Sequence, residues 1–267
     1  MRKRTTIIML VLTVLSVVGL VAYRIFARVS TGGQAPVISF DQKVLEVMTN
    51  ATEDELLLGV TATDAEDGDV TDSLLVETST NFISDNTVEV TYAAFDSNGH
   101  VTKASRTVRY VDYTPPRFYF TGPMIFSESG VSELLSFVGA KDCIDGDISS
   151  RVKVSAVESG TLLSTPGNHV LEFRATNSTG DTAYLKLSVD VVSGYNSARQ
   201  IPLTEYLVYL PVGSEFDPAE YLDENYAGDS DLEIENDVDT EKPGVYDVYY
   251  TLGSSMSRLI VVVEGEG

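Results

Sequence analysis

From Ala35 onward, apolar and polar positions alternate with a period of two, the signature of strands that bury one face. The segment TVEVTYAAF (87–95) places Val88, Val90 and Tyr92 on one side. HVLEFRAT (169–176) does the same with His169, Leu171 and Phe173, and VYDVYYTL (245–252) with Tyr246, Val248 and Tyr250. A second strand-like segment follows each of them: KASRTVRYV, TAYLKLSVDVV and SRLIVVVEG. The turn-rich connections are DSNGH, NSTGD and GSSMS. The pattern predicts one β-hairpin, built three times.

Other segments recur at similar spacing. APVISF (35–40) corresponds to PPRFYF (115–120), and TPG (165–167) to KPG (242–244). ATDAEDGDVTD (62–72) corresponds to AKDCIDGDISS (140–150), with the glycines of Asp-Gly-Asp at 68 and 146. In the third copy this acidic stretch has decayed to AGDSDLEIEND (227–237). Spacing near eighty residues with several short strands per copy suits one small β-sandwich per repeat. The expected fold class is therefore all-β. Domains are placed at 35–113, 114–193 and 201–264, the last divergent. VDYTPP (111–116) makes a stiff join between the first two, and a looser linker at 194–200 precedes the third.

The amino terminus follows another pattern. Thr5 to Tyr23 runs without a charge, after Arg2, Lys3 and Arg4. At about 1.5 Å per residue such a helix spans a hydrocarbon core of about 30 Å. The basic cluster holds residues 1–4 in the cytoplasm, so 5–23 is expected to be a single-pass signal-anchor, with 24–34 a linker on the far side. A cleaved signal peptide is the rival. Against it, the positions three before the candidate cuts after Ala22 and Ala27 carry Leu20 and Ile25, not small residues. Both readings export the body of the chain.

Charge narrows the function classes. The first 28 residues hold five basic side chains and no acid; the remainder holds 13 basic residues against 40 acidic ones. Such a body repels nucleic acid. A single cysteine, Cys143, rules out an internal disulfide. Neither His100 nor His169 lies in a metalloprotease, nucleophile-elbow or Cys-His pattern, and the domains leave little sequence for a deep cleft. The expectation is a protein without catalytic residues. The sequons at Asn50 and Asn177 are read as chance. Tyr206 and Tyr209 lie near the start of the third domain, which is expected outermost and is the natural place for a recognition surface.

The run from APVISF through TATDAEDGDVTD and TVEVTYAAFDSNGH to VDYTPP resembles the bacterial Ig-like repeats typified by the Ig-like domain of pesticidal crystal proteins. The family's marks are the opening Pro-x-Ile, the Asp-x-x-Asp-Gly-Asp loop, a Pro-Gly before the Tyr-x-Val-x-Tyr strand, and Asp-x-x-Gly-Asn at the last hairpin. The resemblance covers 35–193 well and 200–264 more weakly. The first repeat has Asp85-Asn86 in place of Pro-Gly, and the second has Asn177 where the family has Asp. The resemblance implies Ig-like sandwiches on a bacterial surface or secreted protein and implies no particular ligand.

The acidic loops carry the candidate chemistry. Asp64, Asp67 and Asp69 stand within six positions, as do Asp142, Asp145 and Asp147. Oxygen donors this dense suit calcium, which takes six to eight of them at about 2.3–2.6 Å. Neither loop is an EF-hand, since the twelfth positions are Leu75 and Lys153. The competing reading is a solvated turn built from good turn formers. In an Ig-like layout, Asp142, Asp145, Asp147 and Asn177 would face Asp112 and could hold a stiffening calcium ion; that is the one cofactor in view. Expected partners are the membrane and a protein or surface glycan. The three functions in view are a membrane-anchored binding or adhesion protein, a structural spacer or accessory subunit of an envelope complex, and a secreted component associated with an enzyme.

Overall fold

The computed structural model describes residues 15–23, 33–157, 163–226 and 228–265. Residues 15–23 are helical and exposed; the rest of the predicted anchor, 5–14, lies outside the described residues. Among the described residues no helix is long and apolar enough to cross a membrane. The remainder is dominated by β-structure. Contacts divide the chain into two compact units, Met1–Val111 and Asp112–Gly267, where the repeats had suggested three domains.

The first unit pairs a small sheet with a larger one. Strands β1 (Val37–Phe40), β3 (Val60–Asp64) and β4 (Gly68–Asp69) form the order β1-β3-β4. Strands β2 (Val44–Val47), β5 (Leu75–Ser79), β6 (Thr87–Phe95) and β7 (Val101–Tyr110) form the order β2-β7-β6-β5, with β2 parallel to β7. Val88, Val90 and Tyr92 are buried as the alternation requires, packed with Leu45, Val47, Val60 and Val108. One inward position of β7 holds Arg106, 2% exposed, its guanidinium between the rings of Phe40 and Tyr92. Arg106 donates to the carbonyls of Leu58 (2.8 Å) and Leu56 (2.6 Å), which satisfies a loop that would otherwise bury bare carbonyls.

The second unit opens with the same plan. Strands β8 (Arg117–Phe120), β10 (Val138–Asp142) and β11 (Gly146–Asp147) form the order β11-β10-β8. Strands β9 (Ile125–Phe126), β12 (Lys153–Ala156), β13 (Gly167–Thr176) and β14 (Thr182–Val191) form β12-β13-β14-β9, with β9 parallel to β14. A 3-10 segment, Gly130–Phe137, covers the approach to β10. Leu171 and Phe173 are buried; His169 is half-buried, at the end of the inward row.

The third copy of the hairpin differs. Strands β15 (Leu207–Pro211), β16 (Glu233–Asn236), β17 (Gly244–Leu252) and β18 (Ser255–Glu264) form β15-β18-β17-β16, again with the outer strand β15 parallel to the last one. Its turn is tighter than GSSMS implied, only Gly253 and Ser254. Among the described residues the third copy contributes no second sheet of its own. Val248, Tyr250, Leu259, Val261 and Val263 pack under the loops of the third copy, while Leu207 and Ile260 join the core of the preceding sandwich. Strand β18 is thus buried on both faces through its middle, and the run Leu259–Val263 is continuously apolar for that reason. This replaces the expected free-standing third sandwich and its loose linker.

Candidate functional site

The acidic loops grow out of strand ends, β3 in the first unit and β10 in the second. Asp64 accepts the amide N–H groups of Glu66 (2.7 Å) and Asp67 (2.9 Å) on its Oδ1. Asp142 accepts those of Ile144 and Asp145, both at 2.9 Å. These are Asx turns, in which a short carboxylate ties its own backbone into a bend. The following glycines make the return possible: Gly68 and Gly146 have φ of 77° and 70°, a region a β-carbon disfavours.

The next aspartate reaches across to the hairpin of the same sandwich. Asp67 accepts from the amide and hydroxyl of Ser97, at 2.7 and 2.9 Å. Asp145 accepts from the amide and hydroxyl of Ser178, both at 2.6 Å, and pairs with Arg151 at 2.5 Å. Burial opposes ionisation of Asp145, but the Ser178 and Arg151 contacts outweigh it and hold its carboxyl below the usual range. The last aspartates, Asp69 and Asp147, accept from the amides of Thr71 and Ser149 at 3.0 and 2.9 Å and so turn the chain into the following 3-10 segments. The Asp-x-x-Asp-Gly-Asp pattern therefore reads, residue by residue, as bend, cross-strap and second bend.

The two copies part at the first residue of the hairpin turn. In the second unit it is Asn177, 5% exposed. Its Oδ1 accepts from Thr179 and from the amide of Asp181 (2.9 Å), and its Nδ2 donates to Asp142 Oδ2 (3.1 Å) and to the hydroxyl of Tyr113 (3.0 Å). In the first unit it is Asp96, which accepts from the amide of His100 at 2.7 Å and meets the His100 ring at 2.5 Å. A carboxylate offers no N–H, and Asp64 Oδ2 is buried with no hydrogen-bond partner among the described residues.

The start of the second unit is fastened to this pole. Tyr113 donates to Asp181 Oδ2 at 2.6 Å, and burial together with that carboxylate pushes the phenol far above its usual value. The amide of Thr114 donates to Cys143 Sγ at 3.3 Å, and the thiol returns a bond to the Thr114 carbonyl at 3.1 Å. The structure thus brings Asp142, Asp145 and Asn177 to one pole of the second sandwich. The linker side chain bonded to Asn177 is Tyr113, the residue after the predicted Asp112, while Asp147 faces its own 3-10 turn. Among the described residues no group of three or more His, Cys, Asp or Glu side chains is placed to hold a metal ion.

No family model matches the chain, and no curated protein matches it. Solved structures similar to it include the CBM51-2 and INT domains of ZmpB from Clostridium perfringens in complex with GlcNAc, at 18% identity over 85% of this chain and 41% of that one, with a TM-score of 0.23. The S-layer protein rSbsC is similar at 12% identity over 88% of this chain and 41% of that one, TM-score 0.23. The lipoprotein BT2262 from Bacteroides thetaiotaomicron is similar at 14% identity over 86% of this chain and 100% of that one, TM-score 0.21. The chain spans less than half the length of the first two.

A second charged cluster was missed in the sequence. Arg258 on β18 is fully buried. It contacts Asp247 of β17 at 2.5 Å and Asp190 of β14 at 3.3 Å, and donates to the carbonyl (2.9 Å) and hydroxyl (2.6 Å) of Ser188. Tyr249 donates to Asp190 at 2.8 Å, its ring beneath the guanidinium. The available signal was an arginine set directly before the apolar run LIVVV.

Proposed function

We propose that the chain is a non-catalytic, membrane-anchored protein whose extracytoplasmic Ig-like body presents a binding or adhesion surface to a protein or surface glycan. The observation that supports this most is the use to which the reactive side chains are put. The loop aspartates strap and bend their own loops; His100 meets Asp96, and His169 lies 2.8 Å from the Thr165 carbonyl. Side chains committed in this way hold a scaffold in shape. The uncharged stretch behind Arg2, Lys3 and Arg4 supports the anchor, and the acidic excess of the body supports an aqueous exterior.

The buried Arg258 cluster favours a second reading, a structural spacer or accessory subunit, because it joins consecutive sheets without a free hinge. Expression of the full chain in a bacterial host tests the anchor. The expected result is a product that stays with membranes through alkaline extraction and whose body is digested by protease added outside spheroplasts. A soluble product trimmed near Ala27, or a protected body, overturns it. Retention of envelope material by the immobilised protein separates binder from spacer.

A further inference from the structure

The outer face of the sheet β12-β13-β14-β9 carries a cluster of positive charge that the fold does not require. Lys153 on β12 stands opposite Arg174 on β13, and Arg174 opposite Tyr184 on β14, so the three form one row across adjacent strands. The neighbouring row, Val154, Phe173 and Leu185, packs into the core, which turns Lys153, Arg174 and Tyr184 outward. All three are exposed, Tyr184 at 62%. The next outward row adds Lys186, paired with Glu172 at 3.3 Å. Positive charge therefore collects here, in a body where acids far outnumber bases.

Like charges directly opposite each other on neighbouring strands destabilise a sheet. Most basic side chains of the body pair with a carboxylate, Lys103, Arg109 and Lys242 among them. Among the described residues Lys153 and Arg174 form no such pair. A lysine on an edge strand repels a second sheet, and β12 is an edge; β13 is not, so that explanation does not reach Arg174. The repeated plan does not demand the row either. At the matching distance from the hairpin, the first unit has Leu75, Ala93 and Lys103, and Lys103 pairs with Glu77. A local cost without a structural return marks a functional site.

The row also restricts its ligand. The Arg174 guanidinium presents a planar fork that matches a carboxylate, Lys153 adds a second charge beside it, and the Tyr184 ring offers an apolar platform one strand away. Strands lie about 4.8 Å apart, so anion site and platform are separated by about the width of one sugar ring. A dense polyanion such as nucleic acid would meet the acidic surface of the body, whereas an acidic sugar brings one charge per ring and an apolar C–H face. We propose that this row binds a carboxylate-bearing sugar, its carboxylate on Arg174 and Lys153 and its ring against Tyr184. The assignment rests on the glycan-binding reading above and gives it a site.

Ligand-observed NMR titration of the purified full chain with digalacturonate tests it, with the neutral methyl ester of the same disaccharide and a tetraglutamate peptide for comparison. Millimolar binding of digalacturonate that weakens with salt is expected, with little binding of ester or peptide. Arg174→Gln should lower the affinity about five- to tenfold, and Tyr184→Ser should also weaken it. Lys103→Gln removes one positive charge from the matching row of the first unit and should change nothing, which separates loss of the site from loss of net charge. Arg174→Gln relieves a like-charge pair, so its melting temperature should hold or rise. Failure of digalacturonate to bind overturns the proposal, as does equal binding of the ester or an equal loss in Lys103→Gln. Peptide binding as tight as the sugar's also overturns it and makes the partner an acidic protein. A neutral glycan retained equally by the native chain and Arg174→Gln would keep the binding reading and overturn this site; failure of the anchor test would leave the titration result standing.

Discussion

Arg258→Met removes the guanidinium that joins the third sheet to the sandwich before it, while keeping an unbranched chain of similar length. Asp190 and Asp247 are then left facing each other, half-buried, without their cation, and the Ser188 carbonyl loses its donor. Breaking a buried pair by deleting one partner destabilises by about 3–5 kcal/mol. The second unit, Asp112–Gly267, is about 150 residues long, and each kcal/mol moves the melting temperature of such a unit by roughly 2–4 °C. The variant should therefore melt about 6–20 °C lower by calorimetry at pH 7. Acidity should narrow the gap. Burial raises the Asp247 carboxyl above its usual value, and Arg258 is the group that pulls it back down, so the substitution raises it further. A carboxyl raised on folding adds stability that is fully present below its unfolded value, near 4, and is lost as pH rises through the folded value. The deficit should be smallest near pH 4 and grow towards neutrality. A shift below about 2 °C at pH 7, or a deficit that widens on acidification, would refute the reasoning.

The cross-straps give three further expectations. Asn177→Ala removes both the donor to Asp142 and the acceptor for Thr179 and Asp181, and should destabilise the second unit by about 2–3 kcal/mol in urea titration. Gly146→Ala should lower stability by about 1–2 kcal/mol, because φ of 70° disfavours a β-carbon although the space around it is open; unchanged stability would refute the backbone argument. Asp145 is held below its usual value on folding, so its contribution is present above about pH 4 and lost as pH falls through the folded value. Asp145→Asn should flatten that acid limb in pH-dependent melting curves.

Much of the fold was legible because alternation with period two leaves few options for Val88, Val90 and Tyr92, or for Leu171 and Phe173. The acidic pattern was legible as a repeated loop, but its meaning was not. A run of aspartates looks the same whether it faces an ion or backbone amides, and the partners Ser97 and Ser178 lie some thirty residues downstream. The second buried face of β18 was written in the unbroken run Leu259–Val263, where hairpins with one wet face alternate. Arg106 and Arg258 run against the tendency of charge to stay outside; only the inward phase of β7 marked the former. The row of Lys153, Arg174 and Tyr184 had no sequence signal, because its members come from three strands whose register only the fold sets.

The central claim is that the loop aspartates are engaged by the chain's own donors, Asp67 and Asp145 strapping loop to hairpin and the others bending their own loops. Thermal melting of the full chain in calcium and in chelator tests it most directly. A resident ion present at a hundred times its dissociation constant adds about 2.7 kcal/mol, several degrees for a unit of this size. The expected result is coincident melting curves, within about 1 °C. A calcium-dependent rise of several degrees, abolished by Asp142→Asn or Asp64→Asn, would contradict the account.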